Sequence, residues 1–447
     1  MKNIFCVALL MGILPVLAQD HFAGINTSQR VSWINAQINP AELADVTSKY
    51  EIHVFSASIN ASNNKIGFSD LVGGSNFEDL IFRGEERVNF RVDAELNGPA
   101  FAYKYEEWSF GIATRAYAKM DMVDIDPRIG DAITTAGNSG ILATTVVSNN
   151  YNQRLSGTSY GEVALSAARN LFDSDKHRLN GGLSLKLLFP GSYANFGADA
   201  FSGTINSGIG NATLTDANAN LNIAYSGNLG ENFTDFSDYS NSLFGKLNGF
   251  AVDFGVNYQL KDNTAGTYKL KAGIGFRNIG SMTFTDSNNA STNYVLSIGE
   301  NESLDLDQFE GTESLEEVEA ILLSSGYLNK TENNNAEFKV KTPAVFSAYA
   351  DFRIVPRWFV TLMAKQKLNK DDENLQIATQ NFISLTPRFT MENFEAWTTF
   401  SQNEISGFVG GLGVRAYGFF IGSGSVITAL ISDTEQADIY IGYSFGL

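Results

Sequence analysis

The stretch Phe250-Ala-Val-Asp-Phe-Gly-Val-Asn-Tyr-Gln-Leu260 alternates without a break. Phe250, Val252, Phe254, Val256, Tyr258 and Leu260 fall on one side, and Ala251, Asp253, Gly255, Asn257 and Gln259 on the other. Successive side chains of a β-strand point to opposite faces, so the segment reads as a strand with one apolar and one wettable face. After the short turn 261–267, residues 268–277 repeat the pattern, setting Tyr268, Leu270, Ala272, Ile274 and Phe276 against Lys269, Lys271, Gly273, Gly275 and Arg277. Residues 88–96 do the same, with Arg91, Asp93 and Glu95 on the polar side. The segments 50–59, 108–119, 160–171, 178–190, 343–354, 358–368, 379–390, 393–402, 407–417, 418–427 and 437–446 follow the same rhythm. With the segment at Val88 extended to about Tyr105, the tally is about fourteen strands, an even number as in single-chain bacterial barrels. Connections 105–108, 172–177, 260–267, 354–358 and 390–393 are short, whereas 119–158, 190–249 and 278–342 are long. Short turns at one rim and long loops at the other is the pattern of a transmembrane antiparallel β-barrel with long extracellular loops. A soluble β-sandwich alternates too, but its polar face meets bulk water and does not need so little charge overall.

Composition agrees with an all-β exported chain. Phe (33), Tyr (17) and Gly (41) are abundant, and the hydrophobic content of 44% is ordinary for a soluble protein. After the N-terminus the longest nearly apolar run, Phe419 to Ile431, has serines and glycines in it and is too short for a spanning helix, which needs roughly 20 residues. A chain of this kind crosses a membrane only as a closed barrel. Residues 1–18 read as an export signal: Lys2 is the basic start, Ile4 to Leu17 the apolar core, and Val16-Leu17-Ala18 a small-residue cleavage site. The single cysteine, Cys6, lies inside that signal, so the expected mature chain has no disulfide and no cysteine-ligated metal. Losing Lys2 moves the formal charge from −18 to −19, which argues against nucleic acid as a partner. The last strand, with Ile439, Ile441, Tyr443, Phe445 and Leu447 on one face, is similar to the terminal signal read by outer-membrane barrel assembly machinery.

Residues 19–48 precede the first strand and form a separate segment, leaving 49–447 for the barrel. Asn39-Pro40-Ala41-Glu42 starts a helix: an N-cap residue, proline at the first helical position, and a glutamate placed to reach back to the cap amide. A polar segment ahead of strand one cannot sit in lipid, so it is expected to plug the lumen or its periplasmic mouth. Taking the apolar faces as lipid-facing, the lumen should receive Arg91, Asp93, Glu95, Arg115, Asp253, Lys269, Lys271, Arg277, Asp351, Arg353, Lys365, Arg388 and Arg415. Both signs are present, and in a narrow barrel such groups pair, since a lone buried charge is expensive. The functional alternative is a polar conduit or an anionic ligand site.

Asn39-Pro40-Ala41, then Leu43-Ala44, just ahead of the first strand, resembles the FadL-type outer-membrane transporter superfamily and its relative PorV of type IX secretion. Gly249 to Tyr258 followed by Phe276-Arg-Asn278-Ile-Gly280 resembles the middle strands of that relative. Asn97-Gly98-Pro99-Ala-Phe101, Gly413-Val-Arg415 and Ala437-Asp438-Ile-Tyr440 look closest to uncharacterised PorV-like outer-membrane barrels of type IX-secreting, Bacteroidota-like bacteria. The resemblance implies a FadL-like barrel in the cell outer membrane, an N-terminal lumenal plug, and exit of hydrophobic ligands through the wall. It fixes no ligand: Glu42 stands where the transporters commonly carry glycine. The expected function is passive uptake of hydrophobic or amphipathic small molecules, with outer-membrane lipid and the assembly machinery as partners. The alternative is a PorV-like scaffold holding secretion-system components or cargo. Glycines in strand interiors, Gly273, Gly275, Gly410, Gly411 and Gly413, read either as kinks where a wall gap forms or as ordinary barrel-corner residues.

Residues 300–319 hold nine acids and no Lys or Arg. Leu315, Val318 and Leu322 at helical spacing, a Ser314–Glu317 capping box and Gly326 as a stop predict an amphipathic helix in an outer loop. Asp305 to Glu310 lacks the turn glycine and third oxygen of a calcium loop, so a solvated acidic face is the better reading. Nothing calls for a cofactor, a metal or catalysis. Gly157-Thr-Ser159-Tyr-Gly161 matches a nucleophile-elbow string but is preceded by a loop and followed by a strand. Gly275 to Ser281 lacks the lysine of a phosphate loop. Of the three histidines, His21, His53 and His177, only His53 sits where it might meet a serine across the barrel.

Overall fold

The computed structural model describes residues 21–28, 32–73, 77–138, 143–208, 211–231, 243–262, 267–332 and 337–447; the expected signal lies outside them. The wall is a closed antiparallel barrel of 14 strands. They are β1 (Tyr50–Asn63), β2 (Val88–Tyr105), β3 (Trp108–Ile125), β4 (Asn152–Asp173), β5 (His177–Gly208), β6 (Gly249–Asp262) and β7 (Thr267–Phe284). The second half comprises β8 (Val345–Val355), β9 (Trp358–Lys367), β10 (Phe382–Thr390), β11 (Phe394–Asn403), β12 (Gly407–Ala416), β13 (Phe419–Ser423) and β14 (Gln436–Gly446). Each pairs with the next, and β14 pairs with β1 from Glu51↔Gly446 to Ser62↔Gln436, which leaves no free edge.

Alternation sets the two faces. In β6, Phe250, Phe254 and Val256 are exposed while Ala251, Asp253, Asn257 and Gln259 are buried. The outward residues form an apolar belt that includes Ile59, Leu96, Ile112, Leu185, Ile274 and Leu412. Aromatic rings stack near the short-turn rim, Tyr50 on Tyr103 and Trp108 on Phe110, with Trp358 against Phe389. Such rings suit a membrane interface, being apolar in body. No helix among the described residues is long and apolar enough to cross a membrane.

All three long connections and the segment 418–427 depart from the sequence reading. The connection 190–249, read as a loop, continues β5 to Gly208 and returns as the strand Asn211–Ser226. That hairpin joins Ala290–Ile298 and Leu328–Lys330 in an outer sheet. The sheet has its own core of Phe201, Ile205, Leu221, Ile223, Tyr294 and Leu322, to which the helix Leu315–Ser324 contributes. Residues 221–226 are all buried, so no alternation marks them as strand. The helix begins with one half of the capping box, the Ser314 hydroxyl accepting from Glu317 N at 3.1 Å, while Glu317 Oε2 takes Glu313 N at 3.1 Å in place of the cap amide; Gly326 ends it at φ 78°. The other departure is 418–427: β13 stops at Ser423 and the chain turns into a helix, Val426–Ile431. Asp438 enforces that turn, accepting from Gly424 N and from the Ser425 hydroxyl, both at 2.6 Å.

Candidate functional site

The plug occupies the short-turn half of the lumen. Asn39 caps a 3-10 turn, Pro40–Asp45, accepting from Ala41 N at 3.0 Å through its Oδ1. Its Nδ2 donates to the wall carbonyls of Val256 (2.9 Å) and Ile274 (3.2 Å), so one side chain both starts the turn and docks it. Pro40 and Ala41 lie directly on Gly182 of β5, Asn39 on Gly255 of β6, and Ile38 on Gly275 of β7. These glycines are the seat of the plug: a Cβ at Gly182 would collide with plug backbone. The kink reading of Gly273 and Gly275 is thereby corrected, since Gly273 makes room for Asn39 and the Tyr349 hydroxyl.

Glu42 does not reach back to the cap amide. It pairs instead with Lys271 of β7 and accepts from Tyr349 OH and from Asn257 Nδ2 at 2.8 Å. Lys271 also holds Asp45 at 2.8 Å. Burial explains the difference: a fully covered carboxylate gains more from a cation than from one amide. Upstream, Trp33 packs with Leu43, Ala100 and Ala113, and Phe22 and Ile25 pack with Trp397, Phe420 and Tyr440. The Ala23 carbonyl accepts from both Tyr440 OH (2.6 Å) and Trp397 Nε1 (3.1 Å).

The charged residues on the inner face are largely paired. Asp351 binds Arg388 at 2.8 Å and accepts from Tyr268 OH and Thr361, while Arg388 also donates to Thr27 of the plug. Glu395 holds Arg415 at 3.1 Å and takes the Ser28 hydroxyl of the plug. Arg91 pairs with Asp121, Arg353 with Asp262, and Asp93 with Lys119. Arg115 meets Glu162 at 3.2 Å, and Lys186 bridges Glu162 to Asp253 (2.7 Å). Glu95 accepts from Asn97 at 3.0 Å, Arg277 donates to the Gln37 carbonyl, and Lys365 lies over the Phe382 ring. Lys269 is the exception: it is exposed, because a register shift between Leu260 and Lys261 turns Tyr268 inward in its place. Sequence reading did not single out Glu162 and Lys186, although both have inward parity on strands it recognised.

Between the plug and the outer mouth lies a polar cavity of about 90 Å³, with His21 and Gln37 below and Thr379 and Gln380 above. That volume holds about three waters. Outside the wall, beside the short β13, an apolar groove of about 420 Å³ runs between Leu412, Val414, Ile421, Val426 and Ile439. Gly413 and Gly422 line it, and Trp397 and Tyr440 abut the same two glycines from within. Here the wall between lipid and the lumenal aromatic cluster is only backbone thick.

Ser159 lies inside β4. His53 is buried with Nε2 3.1 Å from Ser56 Oγ, and no described residue orients its Nδ1, as a general base requires. His21 contacts Ser58 and Asp93 at 2.8 and 3.2 Å with its ring nitrogens in the reverse order to a hydrolytic triad. Asp305 and Asp307 cap backbone amides of Asp307 and Ala212, and no group of three metal-binding side chains occurs among the described residues.

A closed barrel with a polar, plugged lumen and an apolar exterior is a transmembrane barrel of the outer-membrane type. The chain belongs to the family described as "Family of unknown function (DUF5723)", whose model matches residues 40–424. Comparison with curated proteins found no match. Among solved structures the chain is similar to a deltaS2S3 mutant of the TodX monoaromatic hydrocarbon channel, at 11% identity over 92% of this chain and 94% of that one, TM-score 0.45. It is similar also to the P. putida toluene transporter TodX (10%, 92% and 94%, TM-score 0.43) and to the CymD monoaromatic hydrocarbon channel (10%, 96% and 94%, TM-score 0.34).

Proposed function

We propose that this barrel, exported to the cell outer membrane, mediates passive uptake of hydrophobic or amphipathic small molecules. The reading is supported chiefly by one observation, the thinned wall at β12 to β14. Above Ser423 the five-residue strand gives way to the helix Val426–Ile431, tied to β12 through Gly410 N and the Thr428 hydroxyl (3.3 Å) and to β14 through Asp438; an apolar groove lies outside, and the aromatic cluster stands behind Gly413 and Gly422. An open water-filled pore is not the design, since plug and paired charges fill the lumen. An apolar solute leaving through this wall enters lipid without crossing the plugged half. In proteoliposomes, a labelled monoaromatic hydrocarbon or long-chain fatty acid should equilibrate faster than in barrel-free vesicles, while glucose should not. Ala429→Trp, which fills the outer groove, should slow that uptake several-fold. Uptake equal to barrel-free vesicles overturns the reading.

The scaffold alternative draws on the outer sheet, which with its own apolar core is a ready platform for a protein partner. Pull-down from native membranes, with mass spectrometry of both proteins and lipids, separates the two: secretion components favour the scaffold, bound apolar ligand the transporter.

A further inference from the structure

The connection between β9 and β10, residues 368–381, does not stay on its own side of the barrel. Its middle, 371–377, reaches the opposite wall, where β4 stands five strands away from β9. There Arg154, fully buried, uses all five of its N–H groups. Nη1 donates to the carbonyls of Asp371 and Glu373, both at 2.7 Å, and Nη2 to the Gln376 carbonyl at 2.9 Å. The remaining bonds go to Asn195 Oδ1 at 3.0 Å and Ser156 Oγ at 3.3 Å. Asn152 adds bonds to the Asp372 carbonyl (2.8 Å) and to Asn374 Oδ1 (3.1 Å). Gln380 reaches Ser62 of β1 at 2.9 Å, and Ile377 enters an apolar cluster with Tyr160, Tyr193 and Phe338. The segment therefore spans the outer mouth and roofs the polar cavity.

Its two feet share Glu404, and one of them, Lys367, also holds Asp371 Oδ2 at 2.7 Å. Glu404 takes Lys367 Nζ at 2.6 Å and Asn381 N at 3.0 Å. Between them Leu375 sits at φ 55°, a left-handed backbone that leucine rarely adopts. The centre is thus strained and held across the lumen, while the ends are anchored beside their own strands.

We propose that residues 371–377 form an entry gate and that Arg154 is its latch. All the acceptors that Arg154 uses are neutral, three of them main-chain carbonyls of the strap. A buried guanidinium needs those acceptors while it is dry. When the strap lifts, water at the mouth replaces them, so opening leaves no stranded charge. An arginine paired to a wall carboxylate would hold nothing that moves. This arrangement gives two states in which the same cation is satisfied.

The test reads access to the cavity, so it does not depend on which solute is carried. In a chain without other cysteines, Asn60→Cys places a thiol on the buried cavity wall. A charged maleimide that cannot cross the membrane is added to whole cells. Arg154→Ala should raise the labelling rate at least tenfold, and Arg154→Lys, which can reach fewer carbonyls, should fall between. An assembled Arg154→Ala barrel that labels at the parent rate overturns the latch. Should Arg154→Ala not assemble, Asn152→Cys/Asn374→Cys leaves the arginine in place. Protease added to whole cells should cut within 371–377 more slowly in the oxidised barrel than in the reduced one. Equal cleavage in both redox states overturns the gate.

Discussion

Lys271→Met offers the sharpest test of how the plug is held. The lysine bridges two plug carboxylates, Glu42 and Asp45, whose side chains are 4% and 13% exposed. Breaking a buried pair by removing one partner costs about 3–5 kcal/mol, because the charge left behind is uncompensated. Glu42 keeps Asn257 and Tyr349 as donors, and Asp45 keeps Asn180 at 2.8 Å and Gln259 at 2.6 Å. The lower end of the range therefore applies, about 3 kcal/mol, which at about 1.4 kcal/mol per tenfold is roughly a hundredfold in the docking equilibrium. Ala44→Cys in a Cys6→Ala background provides a thiol buried when the plug is seated. Its maleimide reaction rate in detergent reports the undocked fraction. Lys271→Met should raise that rate roughly a hundredfold. Adding Glu42→Gln, which removes one of the stranded charges, should recover about half of the effect on a logarithmic scale. A rate within about threefold of the background for Lys271→Met would refute the idea that the ion pair, rather than apolar contact at Trp33 and Phe22, seats the plug.

Three further outcomes follow from the same structure. Gly182→Val should leave the barrel's melting temperature unchanged or higher, because valine suits a strand, yet speed labelling at Ala44→Cys, because overpacking against Pro40 and Ala41 costs about 1–3 kcal/mol. Glu319 accepts from Tyr225 OH (2.8 Å) and Tyr294 OH (2.6 Å), and burial pushes the Tyr294 hydroxyl up to about 12. Glu319→Ala strands both hydroxyls at about 1–3 kcal/mol each, so hydrogen exchange should accelerate in Leu315–Ser324 and not in β6 or β7. The backbone amide and hydroxyl of Ser69, 3.0 and 2.7 Å from Asp433, hold that carboxyl below the usual carboxylate range. A depressed folded-state value means the tie is complete above the ordinary carboxylate pKa, about 3.9, and lost as pH falls through the lower folded value. Exchange at the Ser69 amide, corrected for its intrinsic pH dependence, should lose protection only in that acid window, and Asp433→Asn should weaken the protection at every pH.

The strands were legible because a wall between hydrocarbon and a polar lumen imposes period two on every segment crossing it. Fourteen alternating segments correspond one for one to β1–β14, and their errors lie where that constraint ends. The hairpin 193–226 leaves the membrane and is covered on both faces over its last residues, so its sequence has no rhythm to read. The helix at 426–431 replaces a strand because Asp438, ten or more residues away, captures Gly424 and Ser425. Lys269 has inward parity, but one register shift reverses it.

The site divides the same way. Asn39-Pro40 declares a capped turn locally, since the proline ring and the cap side chain need only neighbours in the chain. Parity assigns Arg388, Asp351 and Arg415 a common face for equally local reasons. Which charge meets which, why Gly182 and Gly255 must be glycine, and how Arg154 comes to grip a strap rooted beside β9 are contacts between residues far apart in the chain. Alternation sets the side of the wall on which a residue stands. Only closure of the barrel, which brings opposite strands to face each other across the lumen, decides what it touches there.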